Sequence, residues 1–175
     1  MERNNKKIKV IKNLVKPKFF IPMYEFISSS FFPWYFNQSV INNDDPNEKH
    51  FQFVHTFIKH DEFNNAIVNT PEKHLDIVRP VLSALNVNEV LRCKLNLTTR
   101  TPEPVTHGLH VDGIEGATHT AVFYLNTNNG GTVFENGKKY PSIANQAVVF
   151  DPKLLHSGVS CTDEKIRLVL NINYK

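Results

Sequence analysis

The stretch Val90-Leu91-Arg92-Cys93-Lys94-Leu95-Asn96-Leu97-Thr98 alternates apolar and polar residues without a break. Successive side chains of a strand point to opposite faces, so Leu91, Cys93, Leu95 and Leu97 share one face, and Arg92, Lys94, Asn96 and Thr98 share the other. Such a strand belongs to a sheet with an apolar cover on one side only. Further strands are readable at 118–126, 131–135, 146–150 and 166–174. Between them, Asn126 to Gly131 (Asn-Thr-Asn-Asn-Gly-Gly) and Glu135-Asn136-Gly137 are turn signals. Short strands at this spacing favour a sandwich, a jelly roll or a barrel.

Before residue 88 the periodicity is helical. The aromatic-rich run from Phe19 to Phe36 is broken by Pro22 and Pro33, which predicts a short helix followed by an extended segment. Thr70 and Pro71 form an N-cap and first-turn pair, and Leu75, Val78, Val81, Leu82 and Leu85 recur at helical spacing. A helix over 71–86 follows, and Pro80 inside it, at a cost of about 3 kcal/mol, predicts a kink or a break. No repeat and no Gly/Ser linker divides the chain. The reading is one domain over 1–175, with helical support in 1–87 and the strand-rich core in 88–175.

A chain of 175 residues can bury about two thirds of its unfolded surface, enough for a real core. Much of the net charge of +3 lies at one end, where Arg3, Lys6, Lys7, Lys9, Lys12, Lys16 and Lys18 face only Glu2. These cations alternate with Ile8, Val10, Ile11, Leu14 and Val15, which reads better as a solvated edge strand than as a nucleic-acid tail. No apolar run approaches the roughly 20 residues of a membrane span, and no secretory apolar region opens the chain. The two cysteines, Cys93 and Cys161, make no metal or redox pair motif. The expectation is a cytoplasmic protein with buried, reduced thiols. Glycine-rich dinucleotide motifs, a P-loop and a nucleophile elbow are all missing.

The chemistry lies in His110-Val111-Asp112 and His156. Two histidines and one carboxylate on one side of an ion leave coordination positions open, as non-haem Fe(II) oxygenases require for co-substrate and oxygen. His-x-Asp alone is weak, with 8 His in the chain, and a second copy exists at His74-Leu75-Asp76. That copy lies in the expected helix, where residues two apart diverge by about 200°. His110 and Asp112 follow the Pro-rich approach Thr101-Pro102-Glu103-Pro104 in extended structure, where residues two apart project to one side. His156 is the expected third ligand, because it follows the strand Ala147 to Phe150 through a short turn. His107 has the wrong parity relative to His110, and His119 opens a strand of its own; both are expected in supporting roles. His60-Asp61-Glu62 reads as surface charge.

Arg167 sits in the apolar strand from Ile166 to Asn173, where it needs a partner. It is either an ion-paired surface arginine or an anchor for a dicarboxylate, which a guanidinium binds bidentately. The stripe Arg92, Lys94 and Asn96 either faces solvent or turns inward toward substrate or co-substrate.

The ordered set His110-x-Asp112, Tyr124-Leu125-Asn126, Gly130 to Phe134, Asn145 to Asp151, His156 and Arg167, spanning roughly 88–175, resembles the 2-oxoglutarate and iron(II)-dependent dioxygenases, in particular the branch of prolyl hydroxylases and small phage-type oxygenases. The resemblance implies a mainly β protein, a double-stranded β-helix (jelly roll) with N-terminal helices. It implies Fe(II) held by His110, Asp112 and His156, with O2 and 2-oxoglutarate as co-substrates. Arg167, with the hydroxyl of Tyr124, would hold the far carboxylate of 2-oxoglutarate. The activity implied is hydroxylation of a C–H bond of a protein, a prolyl-type peptide or a small molecule, with release of succinate and CO2. Two departures stand out: the tyrosine usual before His-x-Asp is replaced by a stretch holding Arg100 and His107, and Val169 stands where some branches carry serine. The rival expectations are a nucleic-acid-base oxygenase, recruiting the basic N-terminus, and a metal-binding jelly roll without catalysis.

Overall fold

A computed structural model describes residues 8–41, 49–60 and 66–175; the side chains of His60 and Ala66 are not described. The expectations for Arg3, Lys6 and Lys7, and for the surface charge at His60, Asp61 and Glu62, fall outside the described residues. Among these residues no helix is long and apolar enough to cross a membrane.

The chain runs β1 (Lys9–Lys12), α1 (Pro17–Ile27), β2 (Tyr35–Asn37), β3 (Gln52–His60), β4 (Ala66–Val68), α2 (Glu72–Ala84), β5 (Val90–Thr99), β6 (His119–Tyr124), β7 (Asn128–Phe134), β8 (Lys139–Ser142), β9 (Gln146–Phe150), β10 (His156–Val159) and β11 (Ile166–Tyr174). A large antiparallel sheet has the order β1-β9-β6-β11-β5-β3-β2, with β4 on β3, and a small sheet has the order β10-β7-β8. The fold is the expected jelly roll, with helices on the outer face of the large sheet.

Alternation decides which side of the large sheet is covered. Cys93 and Leu95 of β5, Ala121 and Phe123 of β6, and Leu168, Leu170 and Ile172 of β11 are buried in one core with Met23 and Ile27 of α1 and Val78 and Val81 of α2. The opposite parity faces the small sheet. There Val122, Tyr124, Val148, Phe150 and Val169 pack against Phe134 and Tyr140. The polar stripe of β5 shares that inner side, so the apolar stripe took the helices and the polar one the interior.

Several local expectations need correction. The N-terminal half is not purely helical: residues 1–87 supply α1 and α2 but also β1 to β4, and β3 is a central neighbour of β5. Helix α2 starts at Glu72, with Pro71 as its cap residue and no side-chain cap bond. Thr70 Oγ1 is drawn away by His55 Nε2 at 3.0 Å and His74 Nδ1 at 3.3 Å. Pro80 does not interrupt α2, and Pro22 does not interrupt α1. In α2 the carbonyl left without an N–H partner belongs to Asp76, on the exposed side. The Asn-Gly run is not all turn either, because β7 begins at Asn128 and takes in Gly130 and Gly131. A Cβ on Gly130 would lie 2.6 Å from the Val159 carbonyl, and one on Gly131 would lie 2.4 Å from that of Tyr140. These glycines let three backbones approach closely, a use of glycine distinct from turning the chain.

Other expectations match. Residues Lys9–Lys12 form an edge strand on β9. Asn136 and Gly137 (φ 79°) make the β7–β8 turn. Both cysteines are buried and free.

Candidate metal centre

His110, Asp112 and His156 each bring a ligand atom within 4.8 Å of the others. The backbone makes this meeting. His110 N donates to the His156 carbonyl at 2.9 Å, and His156 N donates back to the His110 carbonyl at 3.0 Å. The same pairing continues toward Thr101: His107 N donates to Gly158 O, Thr106 pairs with Val159, and Ser160 N donates to Val105 O. The Pro-rich approach therefore adds a strand-like edge to β10 and carries His110 to the end of the small sheet.

Both rings are oriented by their own loops. His110 Nδ1 lies 3.2 Å from the Gly108 carbonyl and His156 Nδ1 lies 3.0 Å from that of Leu154. A carbonyl only accepts, so each Nδ1 carries a proton, and Nε2 is the ring nitrogen available to ligate a metal. Burial lowers the pKa of His156, outweighing the Leu154 carbonyl and Asp112, and keeps its imidazole neutral. Phe150, at 4.7 Å between ring centres, walls that ring on one side.

Asp112, with a side chain 2% exposed, is the most elaborately held residue of the three. Arg92 Nη2 donates to Oδ1 at 2.8 Å, Asn173 Nδ2 to Oδ2 at 2.8 Å and Thr120 Oγ1 to Oδ2 at 3.1 Å. Burial alone would raise this carboxyl's pKa, but Arg92, then Asn173 and the two histidines, pull it below the ordinary value. Asp112 is a carboxylate at any physiological pH.

The triad closes one end of a cavity of about 270 Å³ between the sheets. Arg167 lines the other end and is 5% exposed. Its Nε donates to Ser142 Oγ at 3.1 Å and its Nη2 to the Gly131 carbonyl at 2.9 Å. A Cβ on Gly158 would lie 3.6 Å from Nη1, so that glycine keeps the approach to the guanidinium open. Arg92, Lys94, Asn96 and Thr98 all line the cavity; the stripe does not face solvent. Two buried polar atoms in the lining, Thr98 Oγ1 and Asn171 Oδ1, have no hydrogen-bond partner among the described residues. Buried polar atoms are rarely left so, which suits a wall built for a polar guest. Two proton-bearing imidazoles, a carboxylate, a distant guanidinium and unpaired polar atoms between them fit a divalent metal with a dicarboxylate.

Two expected roles change. The Tyr124 hydroxyl does not reach the cavity; it donates to Thr132 Oγ1 at 2.8 Å, and Thr132 is the residue in the lining. The Tyr124 ring instead backs the Arg167 guanidinium at 5.8 Å. Arg92, expected at the substrate, is committed to Asp112 and, through Nε, to Asn173 Oδ1 at 3.0 Å. His119 stacks on Tyr174 away from the triad, and His107, buried, lines the cavity but is not in the ligand group. The decoy Asp76 pairs with Arg79 on the surface of α2. Thr120, Asn171 and Asn173 were not anticipated, although Asn171 and Asn173 share the inward parity of Arg167 and were within reach of the same reasoning.

Neither a protein-family model nor a curated protein sequence matches the chain. Solved structures do. An oxidoreductase of the 2OG-Fe(II) oxygenase family from Burkholderia pseudomallei matches with a TM-score of 0.72 at 13% identity, over 96% of this chain and 84% of that one. A prolyl hydroxylase from Trichoplax adhaerens, in complex with a hypoxia inducible factor oxygen degradation domain peptide fragment, gives 0.61 at 15% identity, over 98% and 84%. A prolyl-4-hydroxylase from Pseudomonas putida gives 0.58 at 11% identity, over 98% and 94%. The chain shares its fold with these oxygenases.

Proposed function

We propose that this protein, one domain over 1–175, is an Fe(II)- and 2-oxoglutarate-dependent dioxygenase that hydroxylates a C–H bond of a prolyl-type peptide or a small molecule. The observation that carries the reading is the pairing of ends: a two-histidine, one-carboxylate group at one end of a cavity and a buried arginine at the other. A bare metal binder has no use for the second end. When bound, Fe(II) with 2-oxoglutarate and O2 supplies the oxidising power, converting 2-oxoglutarate to succinate and CO2 as the substrate gains a hydroxyl.

The protein's own contribution is placement. His110 and His156 offer Nε2, and Asp112 offers a carboxylate oxygen while Arg92, Thr120 and Asn173 keep it from rotating away. Arg167 meets the far carboxylate of 2-oxoglutarate, and Tyr124 assists through Thr132 and through its ring. The two free buried thiols agree with the cytoplasm as the working compartment.

Anaerobic addition of Fe(II) and 2-oxoglutarate should give the visible charge-transfer band of the chelate. Asp112→Ala should abolish the band, and Asp76→Ala should leave it unchanged. Equal losses in the two variants would mean that the wrong His-x-Asp had been chosen.

A further inference from the structure

The cavity holds more positive charge than the proposed co-substrate needs. Arg92 answers Asp112, and Arg167 stands at the far end. Lys94 is left over. It points from β5 into the cavity, is half-buried, and forms no ion pair among the described residues. Among the described residues Asp112 is the one carboxylate in the lining, and it is already engaged by Arg92, Thr120 and Asn173.

Register shows where Lys94 lies. Along the β5–β11 ladder Thr98 faces Arg167 at one end, Arg92 faces Asn173 at the metal end, and Lys94 faces Asn171 one inward step from the metal end. Inward residues repeat about every 7 Å along a strand, and adjacent strands lie about 4.8 Å apart. Lys94 is therefore close to the reacting end but one strand aside from the β11 line that leads to Arg167. The Asn171 amide opposite turns Nδ2 toward Asp112 at 3.4 Å, which leaves its buried Oδ1 without a donor.

A desolvated ammonium and an unsatisfied acceptor, side by side, are both costly without a guest. We propose that Lys94 binds an anionic group, carboxylate or phosphoryl, of the primary substrate, whose own hydrogen-bond donor meets Asn171 Oδ1. The proposal rests on the oxygenase reading above and narrows it: the substrate is a small acid oxidised at a carbon close to its anionic group. A cavity of about 270 Å³ that must also hold a co-substrate has little room for more.

The test uses the full chain loaded with Zn(II), a diamagnetic stand-in for Fe(II), and excess 2-oxoglutarate. It reads NMR saturation transfer to the protons of propionate, methylphosphonate and neutral propionamide. One of the two acids should receive transfer, and so tell carboxylate from phosphoryl, whereas propionamide should not. Lys94→Met should weaken that acid about tenfold or more, and Lys94→Arg should keep it within about threefold, while 2-oxoglutarate stays within about twofold. The proposal is overturned if neither acid binds the parent, if propionamide binds equally, or if Lys94→Met leaves the acid unaffected. Loss of 2-oxoglutarate in Lys94→Met would also overturn it, by making Lys94 the co-substrate's anchor. Failure of the parent to hold Zn(II) or 2-oxoglutarate counts against the oxygenase reading instead. The acids are then read on the metal-free protein, where the first three outcomes still decide the role of Lys94.

Discussion

Replacing Lys94 by methionine should make the metal-free protein more stable. Burial, and after it the neighbouring Arg92, lowers the lysine from its ordinary pKa of 10.5 to about 8, against the pull of Asp112. The unfolded chain keeps this proton to a higher pH than the folded one does, so folding works against the charge. That cost is fully present below pH 8 and fades as pH rises from about 8 to about 10.5. At about 1.4 kcal/mol per pH unit its ceiling is about 3 kcal/mol, and partial exposure makes 1 to 3 kcal/mol a reasonable span. Methionine has similar length and no charge. Lys94→Met should therefore raise Tm at pH 7 by about 2 to 10 °C for a chain of this size. The comparison is thermal unfolding of parent and variant at pH 7 and again near pH 10.5, where the two should converge. A variant less stable at pH 7, or a gap of the same size at both pH values, would refute the reasoning. A gain in stability joined to a loss of acid binding is the trade expected of a residue retained for function.

Arg167→Ala should weaken 2-oxoglutarate binding by about 2 to 5 kcal/mol with metal affinity kept, and Arg167→Lys should rescue poorly, because a point charge replaces a planar fork; calorimetric titration of the Zn(II)-loaded protein checks both. Tyr124→Phe removes the hydroxyl's contacts with Thr132 Oγ1 and with the Tyr140 carbonyl and should cost about 0.5 to 1.5 kcal/mol of stability, with a smaller loss of 2-oxoglutarate binding than Arg167→Ala. Gly130→Ala puts a Cβ 2.6 Å from the Val159 carbonyl and 3.0 Å from Arg167 Cδ. Overpacking of this kind should destabilise by about 1 to 3 kcal/mol in urea unfolding and displace the arginine. Among the described residues, Gly108→Ala meets only Ile41 Cδ1, at 3.5 Å. It should stay within about 0.5 kcal/mol of the parent.

The faces of β5, β6 and β11 were legible because a period of two is written in the residues themselves, and the same parity put Arg167 inside. The triad was legible because ligand chemistry restricts residue types. What surrounds it was not. Arg92, Thr120 and Asn173 reach Asp112 across sequence separations of 20, 8 and 61 residues. Only the register of β5, β6 and β11 brings them together, and no local pattern encodes register. Tyr124 was placed on the right strand and face, yet its hydroxyl went to Thr132, a partner on the other sheet. Strand β3 escaped notice because its aromatic run, Phe51 to Phe57, has both faces apolar in part and lies in a half dominated by helix signals. Gly130 and Gly131 misled for a related reason: glycine has the same spelling whether it turns a chain or lets another backbone approach.

The two peptide bonds exchanged between His110 and His156 have a meaning for how the site is acquired and lost. Metal centres whose ligands are gathered by the ion itself fold and unfold with it. Here the ligands are gathered by main chain that belongs to the sheet, so the vacant and loaded proteins share one frame, and a chelator should strip the ion without melting the fold. The same arrangement leaves the side chains at 110 and 156 free to drift, whereas loss of the Asp112 carboxylate would strand the Arg92 guanidinium that it neutralises. A descendant could change both histidines, abandon the ion altogether, and still inherit an intact cavity with an arginine at its far end.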